Sequence, residues 1–325
     1  MSPFKKKSVY AVLVGLVLGL VLIGTVLNII FPSQFIEVKQ RFQMWRVGAQ
    51  AIVPTDEIKG LELDLCGISG IKGSVEEIRK NCACLILVHG LGDQLSTWRK
   101  LFFAEETPWT TPVRILAIDL PGFGGSPIPR DPAEYSVNRT AEKLSKFLSE
   151  RQFCEKNIVV GNSYGGWVST RLAIEHPAQV QKLVLIGSNG LKPSREEEKE
   201  ALKLLQNPSV DTLKEFQRRA YFKAREYPDR FWRMAYLRAK KSNTLQVVAA
   251  QTDQDYLDHD LTRLKTPVIY VRGEADQVVN EKQSQALLAK IPHAELKKIP
   301  ECGHLPQKEC PEKLISILND VISVK

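Results

Sequence analysis

Along most of the chain, short apolar runs rich in β-branched residues alternate with longer stretches whose apolar positions recur three and four residues apart. The runs are Cys84 to Val88, Val113 to Ile118, Asn157 to Val160, Lys182 to Ile186 and Pro267 to Val271. Continuous apolar character suits strands buried on both faces of a parallel sheet. Gly60 to Leu65 and Ala294 to Ile299 alternate and predict two further strands, while Ser136 to Arg151 and Pro311 to Val324 predict helices. The run ending at Val160 meets Gly161-Asn162-Ser163-Tyr164-Gly165 and passes into a helical pattern with Val168, Leu172 and Ala173, which His176-Pro177 closes. Strand, loop and helix in repetition predict an α/β fold: a mostly parallel, doubly covered sheet with right-handed crossovers.

The rhythm stops from about Asn189 to Lys265. Ser194-x-x-Glu197 starts a helix as a capping box. Leu213, Phe216 and Ala220 form one apolar stripe, and Phe231, Met234 and Leu237 another. A helical lid over the carboxyl edge of the sheet is expected here. Between Lys214 and Lys241 it carries ten Lys or Arg against Glu215, Glu226 and Asp229, interleaved with aromatics, so it is either a solvated basic face or one that touches anionic lipid.

At the other end, Val9 to Phe31 is 23 positions without a charge, opened by Lys5-Lys6-Lys7 and closed by Pro32. At about 1.5 Å per residue it spans a bilayer core of about 30 Å. It is longer than a signal-peptide core, and no small-x-small site follows it directly, so an uncleaved anchor is expected. The lysine triplet favours a cytoplasmic N-terminus and a catalytic domain outside the cytoplasm. Phe35, Val38, Phe42 and Trp45 continue at helical spacing with cations between them, suiting either the headgroup zone or packing on the domain. The expected organisation is therefore a basic tail (1–8), a transmembrane anchor (9–31), a juxtamembrane amphipathic segment (32–57), the first part of an α/β core (58–188), a helical lid (189–265) and the second part of the core (266–325).

The 325 residues, 43% hydrophobic, are enough for one large core, and a net charge of +8 favours an anionic neighbour. Nucleic-acid-binding signatures are missing, so a membrane is the better candidate and no nucleic acid is expected. Six cysteines (Cys66, Cys82, Cys84, Cys154, Cys302, Cys310) are spaced too unevenly for a disulfide scaffold or a zinc knuckle. Free buried thiols are expected, with pairing of Cys302 and Cys310 in an oxidising compartment as the alternative. No metal and no cofactor are implied.

Three groups fall in loops after predicted strands, at the edge where open α/β sheets place ligands: Ser163, Asp276 and His304. A serine hydroxyl is a weak nucleophile at neutral pH, so His304 would take its proton and Asp276 would hold the imidazole tautomer. Asp253, Asp255, Asp258 and Asp260 compete for the acid's place, but they precede their strand. The backbone N–H groups of Leu91 and Tyr164 are the candidate oxyanion donors. His89 is expected to shape its turn, and Asn138-Arg139-Thr140, a match to a glycosylation acceptor, falls on a predicted helix.

From about Ile58 onward, His89-Gly90, Asp119-Leu120-Pro121-Gly122-Phe123-Gly124, Gly161-Asn162-Ser163-Tyr164-Gly165, Gly273-Glu274-Ala275-Asp276 and Gly303-His304 resemble the α/β-hydrolase fold. The anchor joined to this domain is similar to the membrane-bound monoacylglycerol lipase branch. That resemblance implies a serine hydrolase cleaving lipid acyl esters, with a lipid or small ester as partner and the membrane held through residues 9–31. Asn162 is shared with the branch that hydrolyses carbon–carbon bonds of ring-fission products, which is the alternative. A non-catalytic binding protein on this fold is a third reading, disfavoured because the triad is complete.

Overall fold

The apolar runs become strands of one sheet. The computed structural model describes residues 50–52, 58–66, 82–102, 109–151, 154, 157–197 and 206–323. The predicted anchor at 9–31 and all of the juxtamembrane segment before residue 50 lie outside them. Among the described residues, no helix is long and apolar enough to cross a membrane.

Strands β1 (Gln50–Ile52), β2 (Lys59–Asp64), β3 (Ala83–Val88), β4 (Val113–Asp119), β5 (Asn157–Asn162), β6 (Val180–Ile186), β7 (Val268–Gly273) and β8 (Glu295–Ile299) stand in the order β1-β2-β4-β3-β5-β6-β7-β8. Strand β2 is antiparallel to β4, and every pair from β4 through β8 is parallel. The short β1 adds a strand at the end of the segment read as juxtamembrane. Helices α1 (Val137–Arg151) and α2 (Tyr164–Glu175) bury Leu144, Phe147, Val168 and Leu172 against Ile86, Val88, Val159 and Leu185. The alternate residues Leu85, Leu87, Val160 and Val184 are equally buried, so both faces of the sheet are covered. Each such aliphatic side chain contributes about 1.5–3 kcal/mol on burial. Val88 pairs with Gly161, Asn162 with Ile186, and Ile186 with Val271, so the loops leaving β3, β5, β6 and β7 open at one edge.

Helices α3 (Val210–Ala220), α4 (Asp229–Lys241) and α5 (Thr244–Ala249) lie between β6 and β7, where the sequence predicts helices. The Ser194–Glu197 capping box forms, with Ser194 N–H donating to Glu197 at 2.8 Å. Of the apolar stripes only Ala220 is buried: Phe216, Phe231, Met234 and Leu237 are all exposed. Helices α6 (Glu281–Lys290) and α7 (Pro311–Ser323) complete the chain.

The cysteine expectation needs correction. Cys66 pairs with Cys82, Cys84 with Cys154, and Cys302 with Cys310, leaving none free. Their Cα atoms lie 5.8, 6.4 and 6.3 Å apart, within bridging range. Separations of 16 and 70 residues hide the first two pairs from a sequence reading, because the fold brings their cysteines together.

Candidate active site

Ser163 stands at the corner between β5 and α2 with φ 53° and ψ −120°, a strained backbone that the surrounding packing holds in place. A Cβ on Gly161 would lie 2.5 Å from Gly166 Cα, and one on Gly165 would strike the backbone of Val88 and His89. The corner closes only because both positions lack side chains. Ser163 N–H donates to Ile186 O at 2.9 Å, and Ser163 O accepts from Gly166 and Trp167. The corner is thus tied to the neighbouring strand and to the first turn of α2.

Asp276 and His304 come from the loops after β7 and β8 and are 2% and 3% exposed. His304 Nδ1 lies 2.8 Å from Asp276 Oδ2. A carboxylate only accepts, so Nδ1 carries the proton and Nε2 is left as a base. Asp276 Oδ1 accepts the amides of Val278 and Val279 at 2.8 and 3.0 Å. Buried Arg272 grips the same loop through Asp276 O and Val279 O. Ser163, His304 and Leu91 line one cavity of about 440 Å³, together with Phe216, Val278 and Leu305.

The Leu91 and Tyr164 amides, the two candidate oxyanion donors, make no hydrogen bond to an acceptor among the described residues. His89 shapes its turn: Nδ1 meets Gly90 O at 2.8 Å, and Nε2 accepts Leu120 N–H at 2.9 Å. Burial pushes its pKa down, consistent with a neutral ring. The four competing aspartates serve the return from the helical insertion. Asp255 caps Thr252 and receives Asn138 N–H, Asp260 meets Arg171 at 2.6 Å, and Asp253 and Asp258 hold Lys192. Asn138 lies on α1 with its amide donating to Gln254 O.

Several contacts around the site escaped the sequence reading. Asn162 Nδ2 donates to Ile186 O and to His304 O, and its Oδ1 accepts from Gln307, so one buried amide joins the serine corner to the histidine loop. At Gly187, φ is 49°, and a Cβ would lie 2.7 Å from Asp276 Oδ2 and 2.9 Å from His304 Nδ1. Any side chain there would push the pair apart. His304 N–H donates to Ala220 O at 2.7 Å, and Glu309 accepts the amides of Gly303, Phe222 and Lys223. The end of α3 is therefore bonded to the loop that carries His304. Cys302, Glu309 and Cys310 bring ligand-type atoms within 4.8 Å of one another, but the sulfurs are joined and Glu309 is occupied by those amides. Of these residues, Asn162 carried a readable signal within its motif, and Arg272 one as a cation at the end of an apolar run.

The sequence profile described as alpha/beta hydrolase fold matches residues 84–311. The chain belongs to this family. A Paraburkholderia phymatum relative named 2-hydroxy-6-oxononadienedioate/2-hydroxy-6-oxononatrienedioate hydrolase is 27% identical over 73% of this chain and 86% of its own length. A 2-hydroxymuconate semialdehyde hydrolase from Pseudomonas sp. strain CF600 is 26% identical over 74% and 86%. Among solved structures, one described as a membrane phospholipase A superposes with a TM-score of 0.73 at 24% identity, covering 97% of this chain and all of that one. A structure described as a lipase of Acinetobacter baumannii superposes with a TM-score of 0.70 at 20% identity, covering 88% and 95%. As an α/β hydrolase, the chain is a hydrolytic enzyme.

Proposed function

We propose that the protein is a serine hydrolase cleaving carboxylic esters of lipid-like substrates. Ser163 Oγ attacks the ester carbonyl while His304 Nε2 takes the hydroxyl proton and Asp276 steadies the imidazolium. The oxyanion is held by the Leu91 and Tyr164 amides. Collapse expels the alcohol, protonated by His304, and leaves an acyl-enzyme. Water, activated by the same histidine, then releases the carboxylic acid and restores Ser163.

The observation that carries the lipid reading is the distribution of exposed apolar side chains. Of nine large ones among the described residues, seven lie on one stretch: Phe216, Phe222, Tyr227, Phe231, Met234, Leu237 and Leu245. Phe216 also lines the cavity that holds Ser163. An exposed apolar face at a cavity mouth, studded with cations, suits a lid that meets an amphiphile or an anionic bilayer. Residues 9–31 would anchor the chain, and three disulfides favour a catalytic domain outside the cytoplasm.

A second reading is hydrolysis of a carbon–carbon bond in a ring-fission product by the same serine. The names of the curated relatives support it more directly than they support the first, and Asn162 fits it; the exposed lid face does not call for it. One experiment separates the two: rates on acylglycerols and on a ring-fission dienoate, with fluorophosphonate labelling as a common readout. Acylglycerol turnover that Ser163→Ala abolishes together with labelling is the expected result. Turnover of the dienoate alone would replace the ester reading with the second.

A further inference from the structure

A second cavity, about 500 Å³, adjoins the first and shares Gly92, Asp93 and Lys308 with it. Its walls are of another kind. The first is mostly apolar, with Leu91, Val278, Leu305 and Phe216, although Glu197 and Arg219 also line it; this one is mostly polar, with Gln94, Ser96, Thr97, Ser126 and Asn243 beside Phe123, Ile128 and the glycine-rich loop 122–125. Three cations face it: Arg238 and Lys241 on the last turn of α4, and Lys308. The one acid is Asp93, whose carboxylate already meets Lys308 at 2.7 Å. Although burial alone pushes the Asp93 carboxyl up, the Lys308 ammonium holds it below its ordinary range, so the pair stays charged.

Arg238 and Lys241 form no ion pair among the described residues. The last turn of a helix favours cations, and that accounts for their presence on α4. It does not account for both bordering one polar cavity beside the Asp93–Lys308 pair, with no acid there left to meet them. An arrangement of this kind is relieved by an oxyanion, which the Arg238 guanidinium and the Lys241 ammonium would bind through charge-assisted hydrogen bonds.

We propose that the second cavity is a subsite for an anionic group, phosphate or carboxylate, carried by the substrate on the far side of the bond that Ser163 opens. The inference rests on the serine hydrolase reading and adds the substrate class: an acyl chain in the apolar cavity, and a negatively charged head beyond the Asp93–Lys308 pair. Lys308 borders both cavities and marks the place where such a molecule crosses from one to the other.

Two measurements test this. In the first, octyl phosphate, octanol and inorganic phosphate are titrated calorimetrically into full-length Ser163→Ala protein, with and without Arg238→Gln/Lys241→Gln. Octyl phosphate should bind at least about tenfold more tightly than octanol, and the double substitution should remove that margin. Inorganic phosphate should bind far more weakly; binding as tight as that of octyl phosphate would make this a free-anion site and overturn the proposal. In the second, protein with Ser163 intact hydrolyses a monoacylglycerol and its 3-phosphate carrying the same acyl chain. The kcat/KM ratio of phosphate to neutral ester should fall about tenfold in the double variant, whereas Lys282→Gln/Lys290→Gln, with the same change of charge elsewhere, should leave it unmoved. A ratio unaffected by Arg238→Gln/Lys241→Gln sinks the subsite while leaving the ester reading intact. Loss of octyl phosphate affinity in the double variant, with no ester hydrolysed by the parent protein, sinks the ester reading and keeps the anion site.

Discussion

The carboxyl edge of the sheet and the helices between β6 and β7 are built on opposite terms. At the edge, Asn162, Asp276, His304, Arg272 and Gln307 are all buried, and each is bonded to a loop or strand other than its own. In α3 and α4 only Ala220 and Trp232 are buried, and the apolar side chains look outward. A buried polar network holds atoms to a fraction of an ångström, since each unmade bond in it costs about 1–3 kcal/mol. A face with apolar groups in water has the opposite property and gains from whatever covers it. The contrast teaches where to look for each half of the function: the bond broken is set by the edge, and the molecule admitted is set by the helices.

Substitutions should sort by region. The largest effect is expected from Asp276→Asn, which removes the acceptor that fixes the His304 tautomer. Steady-state kinetics should show kcat lower by about 10³–10⁴-fold with the thermal midpoint little changed. A loss smaller than tenfold would mean that the Asp276–His304 contact is not part of the chemistry.

Next comes the staple between the two regions. Arg171 on α2 is buried and reaches Asp260, Glu175 and the carbonyls of Gln254, Asp255 and Tyr256, pinning the return of the insertion to the helix that follows Ser163. Arg171→Met takes the buried donor from the carbonyls of Gln254, Asp255 and Tyr256 and leaves Asp260 and Glu175 to Arg263 alone, and should cost about 3 kcal/mol, lowering the thermal midpoint by about 6 °C. Hydrogen bonding from Arg263 holds Glu175 below its ordinary value; burial alone raises Asp260, but Arg171 brings it down overall. Depressed carboxyl values stabilise the fold above the ordinary 4.5 and 3.8, and that contribution is lost as pH falls through the lower folded values. Chemical denaturation of the parent between pH 5 and pH 3, about the range where free carboxylates titrate, should therefore show a steeper loss than Arg171→Met. Equal slopes would remove the staple from the account.

The smallest effect on stability, and a selective one on activity, is expected at the exposed face. Phe231→Ser/Leu237→Ser should change folding free energy by no more than about 0.5 kcal/mol per site. The rate on vesicle-presented ester, divided by the rate on a short soluble ester, should fall about tenfold, because apolar groups that no longer leave water contribute nothing to adsorption. A constant ratio would show that this face meets no lipid.

The sequence made the edge legible and the helices only partly so. Ser163, Asp276 and His304 could be placed because a β-branched run followed by a loop is a local pattern, and the parallel order of strands then carries the loops to one side. Asn162 was visible within its motif, but its bond to the His304 carbonyl joins residues 142 apart, and no local pattern reports that. Gly187 was unreadable for the same reason: its need is set by Asp276 and His304, which approach it only in three dimensions. For the helices, spacing found the periodicity of Phe231, Met234 and Leu237 but not its direction, because an apolar stripe looks the same whether it faces a core or a bilayer. Pairing of Cys302 with Cys310 was open to a sequence reading as the alternative to free thiols, whereas Cys66–Cys82 and Cys84–Cys154 were missed because the fold brings those partners together.

The Cys302–Cys310 bridge has a practical consequence for anyone producing this protein. His304 lies inside the short loop that the bridge closes, so a host whose cytoplasm keeps thiols reduced would deliver chains in which that loop is held by non-covalent contacts alone, among them those of Glu309, Ala220, Asn162, Asp276 and Asp93. Such material would fold on its sheet and still be a poor preparation of the enzyme. Export to an oxidising space, or refolding with a thiol–disulfide buffer, is part of making the active species rather than a matter of yield.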